Sequence, residues 1–231
     1  MLGSLLVILM TIRPSNTNFR KERKFSMKII IGQDPYPARQ GNYRPFNISV
    51  PNNDFPKYND VIRYNNLNDI PDEIQTVVAF VPLFIQPIDP YSIISYRRVL
   101  SVCVGARRAV EMLTESQTII DAAGNNAELL EGESKRIVKM LHDQDILLLN
   151  VRYFEKVNGR TKKRKNPFIN NVFEYCSNND ECELILLGYI AKKAWETWNG
   201  NRQDRRNPTM HPHPRVRRYD EFWDLQDSAL N

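Results

Sequence analysis

Three short apolar runs constrain this chain more than any other feature: MKIIIG at 27–32, DILLLN at 145–150 and ELILLG at 183–188. None alternates apolar with polar residues, so each reads as a strand buried on both faces, as in a parallel sheet. Between and after them the apolar residues take helical spacing. It runs over 96–114, over 126–142 (Leu129, Ile137, Val138, Leu141), through NPFINNVFEYC (Phe168, Val172, Phe173, Cys176) and through IAKKAWETW. Strands alternating with helices predict an α/β domain with a mainly parallel sheet. Each run closes on Gly or a polar residue, and ligands of open α/β sheets bind outside the carboxyl ends of the strands. Asp34, Asn150 and Gly188 are therefore expected at one crevice.

The remaining segments read mostly as connections. Residues 13–27 are polar and basic, and 51–72 are rich in Asn, Asp and Pro; both are expected as loop. TVVAFVPLFI (76–85) is strand-like. NGRTKKRKN (158–166) reads as a basic loop, 199–218 as a polar, basic loop, and YDEFWDLQD as a short closing helix. The start, MLGSLLVILMTIRP, is too short to span a bilayer and lacks the basic region and cleavage site of a signal peptide, so it reads as a buried strand or helix, the alternatives being a weak membrane-proximal segment or a start codon placed too early. No internal repeat is present.

Composition narrows the class. The 231 residues are 42% hydrophobic and 26% charged, enough for a core, which excludes a wholly disordered chain. The net charge of +5 permits a polyanion partner without requiring one. Cys103, Cys176 and Cys182 form no CxxC pair, and the histidines are at 142, 211 and 213, which is not structural-zinc spacing. An odd cysteine count without a disulfide framework fits a reducing compartment, with the thiols as small buried hydrophobes.

Four features sit on the expected connections: GQDPYP (32–37), Phe46 after Pro45, the strand end LLLN at Asn150, and HPHP (211–214). Singly, each has an ordinary explanation: an Asx turn, a core aromatic, a polar strand terminus and a Pro-stiffened turn. Together and in this order they resemble the motifs of family 1 uracil-DNA glycosylases. GQDPYP is similar to that family's water-activating loop, ILLLN to its uracil-reading segment, LILLGYIAKKAW to its glycine-serine segment and MHPHPRVRR to its DNA-intercalation loop. The resemblance covers roughly 28–50 and 136–224. Pro37, Pro45–Phe46 and the Arg after the second loop Pro look more like the poxvirus branch than the cellular one.

The resemblance implies a three-layer α/β/α domain with a central, mainly parallel four-stranded sheet, and an enzyme that flips uracil out of DNA and hydrolyses its N-glycosidic bond. Extruding the base costs a few kcal/mol. Phe46 would stack on the extruded ring, worth ~1–3 kcal/mol. Asn150 would pair with O4 and N3–H, Tyr36 would fill the space beside C5, and the backbone at Gln33 would hold the same edge. Asp34 would stabilise the sugar cation and orient water onto C1′. His211 would donate to the developing anion at O2, an interaction typically worth ~2.7–4 kcal/mol. Pro35, Gly188, Tyr189, Pro212, His213 and Pro214 would press on phosphates, and Arg215 or Val216 would fill the gap in the stack. The basic residues Lys162, Lys163, Arg164, Lys165, Arg205, Arg206, Arg217 and Arg218 would add salt-sensitive attraction. No cofactor or metal is implied. The implied partner is uracil-containing DNA, single- or double-stranded, met by a monomer inside the cell, in the nucleus or at a site of viral replication, with no membrane involved.

The pattern also departs from the family. Pro37 replaces a His, Tyr189 and His213 replace hydroxyl residues, and Arg215 replaces a Leu wedge. The departures touch the DNA grip more than the chemistry. Residues 28–231 read as one domain after an unassigned segment 1–27. An insert at 51–125 either binds a protein partner or replaces N-terminal helices. The alternative function is a catalytically weak or inactive glycosylase-like module that binds DNA or a polymerase.

Overall fold

The computed structural model describes residues 26–33, 47–49, 52–62, 76–78, 90–124, 126–158, 160–200, 207–214 and 221–223. The three apolar runs become β1 (Met27–Gly32), β4 (Ile146–Asn150) and β7 (Cys182–Leu187). With a short strand β8 (Thr209–His211) they form one sheet in the order β4-β1-β7-β8, and every neighbouring pair is parallel. Ile29, Ile30, Ile31, Leu147, Leu148, Leu149, Leu186 and Leu187 are all at most 1% exposed, which explains why these runs show no alternation. Each such side chain contributes about 1.5–3 kcal/mol on burial.

Six helices of seven residues or more are described: α1 (Pro56–Ile62), α2 (Pro90–Val104), α3 (Ala106–Ala123), α4 (Ala127–Asp143), α5 (Ile169–Asn178) and α6 (Gly188–Asn199); residues 221–223, within the closing helix read from sequence, are helical as well. The chain steps from β1 to β4 on one side, then back past β1 to β7 and on to β8. Right-handed crossovers therefore put α2–α4 on one face of the sheet and α5 and α6 on the other, while α1 lies at the β4 margin, where Asn171 of α5 donates to Ile62 O at 2.8 Å. The result is the three-layer α/β/α arrangement with a parallel four-stranded centre. The helix read over 96–114 is divided at Gly105, where α2 gives way to α3. Helix α4 starts where Asn126 caps the amides of Glu128 and Leu129, at 3.1 and 3.2 Å.

Three segments read as loop differ in the structure. Residues 51–72 contain α1, whose Tyr58, Val61 and Ile62, with Phe55, are core residues. The reading by composition failed because three apolar residues at helical spacing are diluted by Asn and Asp. Residues 158–166 are not a loop: Arg160–Lys165 is strand β6, antiparallel to β5 (Arg152–Val157). Residues 199–218 contain β8, which completes the sheet. A further small antiparallel pair joins β2 (Asn47–Ser49) and β3 (Thr76–Val78), the latter within the strand-like stretch. The N-terminal run and residues 79–85 lie outside the described residues.

The 51–125 insert contributes to the core and is not an appendage. The Tyr58 hydroxyl accepts from Leu148 N and donates to Leu148 O, both at 3.1 Å, on the open side of β4. On α2, Tyr96, Val99 and Leu100 are fully buried, and Arg98 donates to Pro214 O at 2.8 Å.

Candidate functional site

The register brings the distant motifs into one row. Gly32 pairs with Asn150, and Leu187 pairs with His211. Gly32 lies one step beyond the Ile31–Leu186 pair, so Gly32 and Leu187 are level. Asn150, Gly32, Leu187 and His211 thus cross the carboxyl edge together. With strands ~4.8 Å apart, the backbones of Asn150 and His211 are about 14 Å apart. Gln33 and Gly188 follow directly on the two inner strands. In this order the chain reverses direction between β1 and β7, the switch point at which open α/β sheets open a crevice.

Asn150 is fully buried, yet neither its carboxamide nitrogen nor its oxygen has a hydrogen-bond partner among the described residues. Leaving a buried polar group unpaired costs about 1–3 kcal/mol, so such a residue needs a reason to be there. Its backbone, by contrast, is fixed. Asn166, itself buried, donates from Nδ2 to Asn150 O at 2.8 Å and from its backbone N to Val151 O at 2.7 Å. Its Oδ1 accepts from Phe168 N at 3.0 Å, closing an Asx turn ahead of α5. Val151 N and Arg152 N donate to Gly32 O and Gln33 O at 3.0 and 3.1 Å, so β4 stays joined to β1 beyond the sheet proper.

His211 is half-buried against two rings, Phe222 edge-on at 5.4 Å and Trp223 tilted at 6.1 Å between centroids. Burial, with a smaller push from the charge of Lys28, holds its imidazole below the ordinary range, so it is neutral at pH 7. A neutral imidazole keeps one N–H to donate. Its Nδ1 is buried and without a partner among the described residues.

The 211–214 turn is set by Gly188. This residue opens α6 at φ +83, and a Cβ there would lie 2.8 Å from His213 Cβ. Only glycine allows the β7–α6 junction and the His-Pro turn to approach this closely. Arg98 holds the other side through Pro214 O, and its guanidinium carbon lies 5.8 Å over the Trp223 ring. Tyr189, 68% exposed, stands at the rim, as does the half-exposed Met210.

Of the residues singled out from sequence, Gln33, Asn150, Gly188, Tyr189, His211, Pro212, His213 and Pro214 all lie at this edge. Asp34, Pro35, Tyr36, Phe46, Arg215 and Val216 lie outside the described residues. No protein-family model matches the chain, and no curated protein or solved structure matches it. Among the described residues no three His, Cys, Asp or Glu side chains cluster as metal ligands, and no helix is long and apolar enough to cross a membrane. Sequence reasoning missed Asn166, Arg98, Phe222 and Trp223. Asn166 carried a signal, because Asn before Pro favours turn initiation. Arg98 and Trp223 carried none, being long-range partners.

Proposed function

We propose that the protein is a uracil-DNA glycosylase that extrudes uracil from DNA and hydrolyses the bond between N1 and C1′, leaving an abasic site in base excision repair. One observation carries the reading: a buried carboxamide with both atoms unpaired stands in the same row as a neutral imidazole, at the switch point of a parallel sheet. The motif resemblance supplies the rest. A carboxamide offers one donor and one acceptor, matching O4 and N3–H of uracil. Cytosine presents the opposite polarity at both atoms, so each bond would become a repulsion. The imidazole N–H meets the negative charge that builds on O2 as the glycosidic bond breaks, and a donor already in place needs no reorganisation. Asp34, directly after Gln33 in the chain, is assigned the sugar cation and the attacking water.

The rim suits a nucleic-acid backbone. Helix α6 starts at Gly188 with no side-chain cap on its first amides, a polarity that favours phosphate.

The test is a single-uracil oligonucleotide incubated with the protein and then treated with alkali to cleave abasic sites. Strand cleavage at the uracil position, absent from the thymine control, is the expected result. No product with DNA binding retained overturns the catalytic reading in favour of the binding module. Tyr36→Ala is expected to admit thymine; a variant that still excises uracil alone sinks the steric account of C5 recognition.

A further inference from the structure

The segment that reads as a basic loop is a rooted two-stranded ribbon. Strands β5 and β6 pair over six residues each, from Arg152–Lys165 at the base to Val157–Arg160 at the tip. Asn158 and Gly159 lie between the tip residues, and Asn158 takes φ +52, the left-handed conformation that two-residue hairpin turns demand. The base is stapled to the end of β4 through Asn166 N to Val151 O and to the end of β1 through Arg152 N to Gln33 O. The ribbon therefore leaves the same edge as Asn150, with arms about 20 Å long.

Its charge is the second observation. Lys162, Lys163, Arg164 and Lys165 are four consecutive exposed cations on β6. Side chains alternate along a strand, so Lys163 and Lys165 occupy one face and Lys162 and Arg164 the other. A ribbon resting on a flat anionic surface needs cations on one face only. Cations on both faces suit a groove with a phosphate chain on either wall. The major groove of B-form DNA, ~12 Å wide, admits a two-stranded ribbon, whereas the deep, narrow major groove of A-form RNA does not.

We infer that the β5–β6 hairpin is a groove-inserting arm that holds double-stranded DNA independently of any uracil. This goes beyond the proposed excision chemistry, and its test uses uracil-free DNA, so the two readings fail separately.

The experiment measures binding to a uracil-free B-form duplex across a salt series, with the matching single strand and a double-stranded RNA as competitors. Two variants each remove the pair of exposed cations from one face: Lys163→Gln with Lys165→Gln, and Lys162→Gln with Arg164→Gln. Each pair is expected to flatten the plot of log affinity against log salt for the duplex by about 1.8, two phosphates at ~0.9 apiece. The single strand and the RNA are expected to lose less. An effect from one face only would mean flat contact and overturn groove insertion. No effect from either pair, or equal losses on all three nucleic acids, would overturn it as well. Thermal unfolding of each variant, expected to match wild type because the four residues are exposed, separates lost contact from lost fold.

Discussion

Asn150 on β4 is held by directional bonds, whereas His211 on β8 is held by rings and shape. Asn166 fixes the Asn150 end with three hydrogen bonds, one to the Asn150 carbonyl itself. At the other margin no hydrogen bond to the His211 ring is found among the described residues. Phe222 and Trp223 wall it in, and Gly188 lets the turn close down. The Asn166 bonds act on the backbone and leave the Asn150 carboxamide unpaired, so the strand end is fixed while the side chain keeps its donor and acceptor for a ligand. A group that meets developing charge gains from a dry wall, because low dielectric strengthens its hydrogen bond. Under the proposed function, the two margins suit those two tasks.

The comparison breaks most sharply at the imidazole. His211→Leu is expected to lower single-turnover excision 10²- to 10³-fold, the loss of one charge-stabilising donor. Its DNA affinity and unfolding midpoint are expected to change little, since Leu also packs against the rings. A variant that instead unfolds at markedly lower temperature would make His211 a packing residue.

Intermediate effects separate shape from bonding. Gly188→Ala and Gly188→Ser are expected to lose stability alike, by about 1–3 kcal/mol, because any Cβ meets His213 in a strained backbone. At Asn166 chemistry decides. Asn166→Ala leaves buried groups unpaired, at about 1–3 kcal/mol. The nearly isosteric Asn166→Asp is expected to lose at least as much, since a carboxylate would face the Asn150 carbonyl. Urea unfolding of the four variants checks both halves. If Asn166→Asp is tolerated, directional bonding does not hold this margin.

The smallest expected effect is on pH dependence. Burial lowers the imidazoles of His142 and His211 from the ordinary 6.5. The unfolded chain then binds more protons below pH 6.5, so stability falls on acidification through that window and none of this term is lost above it. Unfolding midpoints at about pH 7.5 and about pH 5.5 are expected to differ less in His211→Leu than in wild type. Equal differences would mean His211 does not contribute.

The sheet centre was legible because β1, β4 and β7 are buried on both faces and leave unbroken apolar runs. Strand β8 was not: Thr209 and Met210 are exposed, and a three-residue edge strand has no periodicity to read. The hairpin was legible in principle, since Asn158–Gly159 is a strong turn signal, but lysine and arginine disguised its second arm as loop. For the site, the polar residues ending each strand were readable from motif order. Their supports were not, because Arg98 lies 116 positions from the carbonyl that it holds.

Tyr58 has a consequence beyond packing. Among the described residues β4 is a margin of the sheet, and an uncovered margin invites a second molecule to add a strand. The phenol occupies both the donor and the acceptor of Leu148, at the middle of that margin. One side chain from α1 thus takes the backbone donor and acceptor that an added strand would need at Leu148.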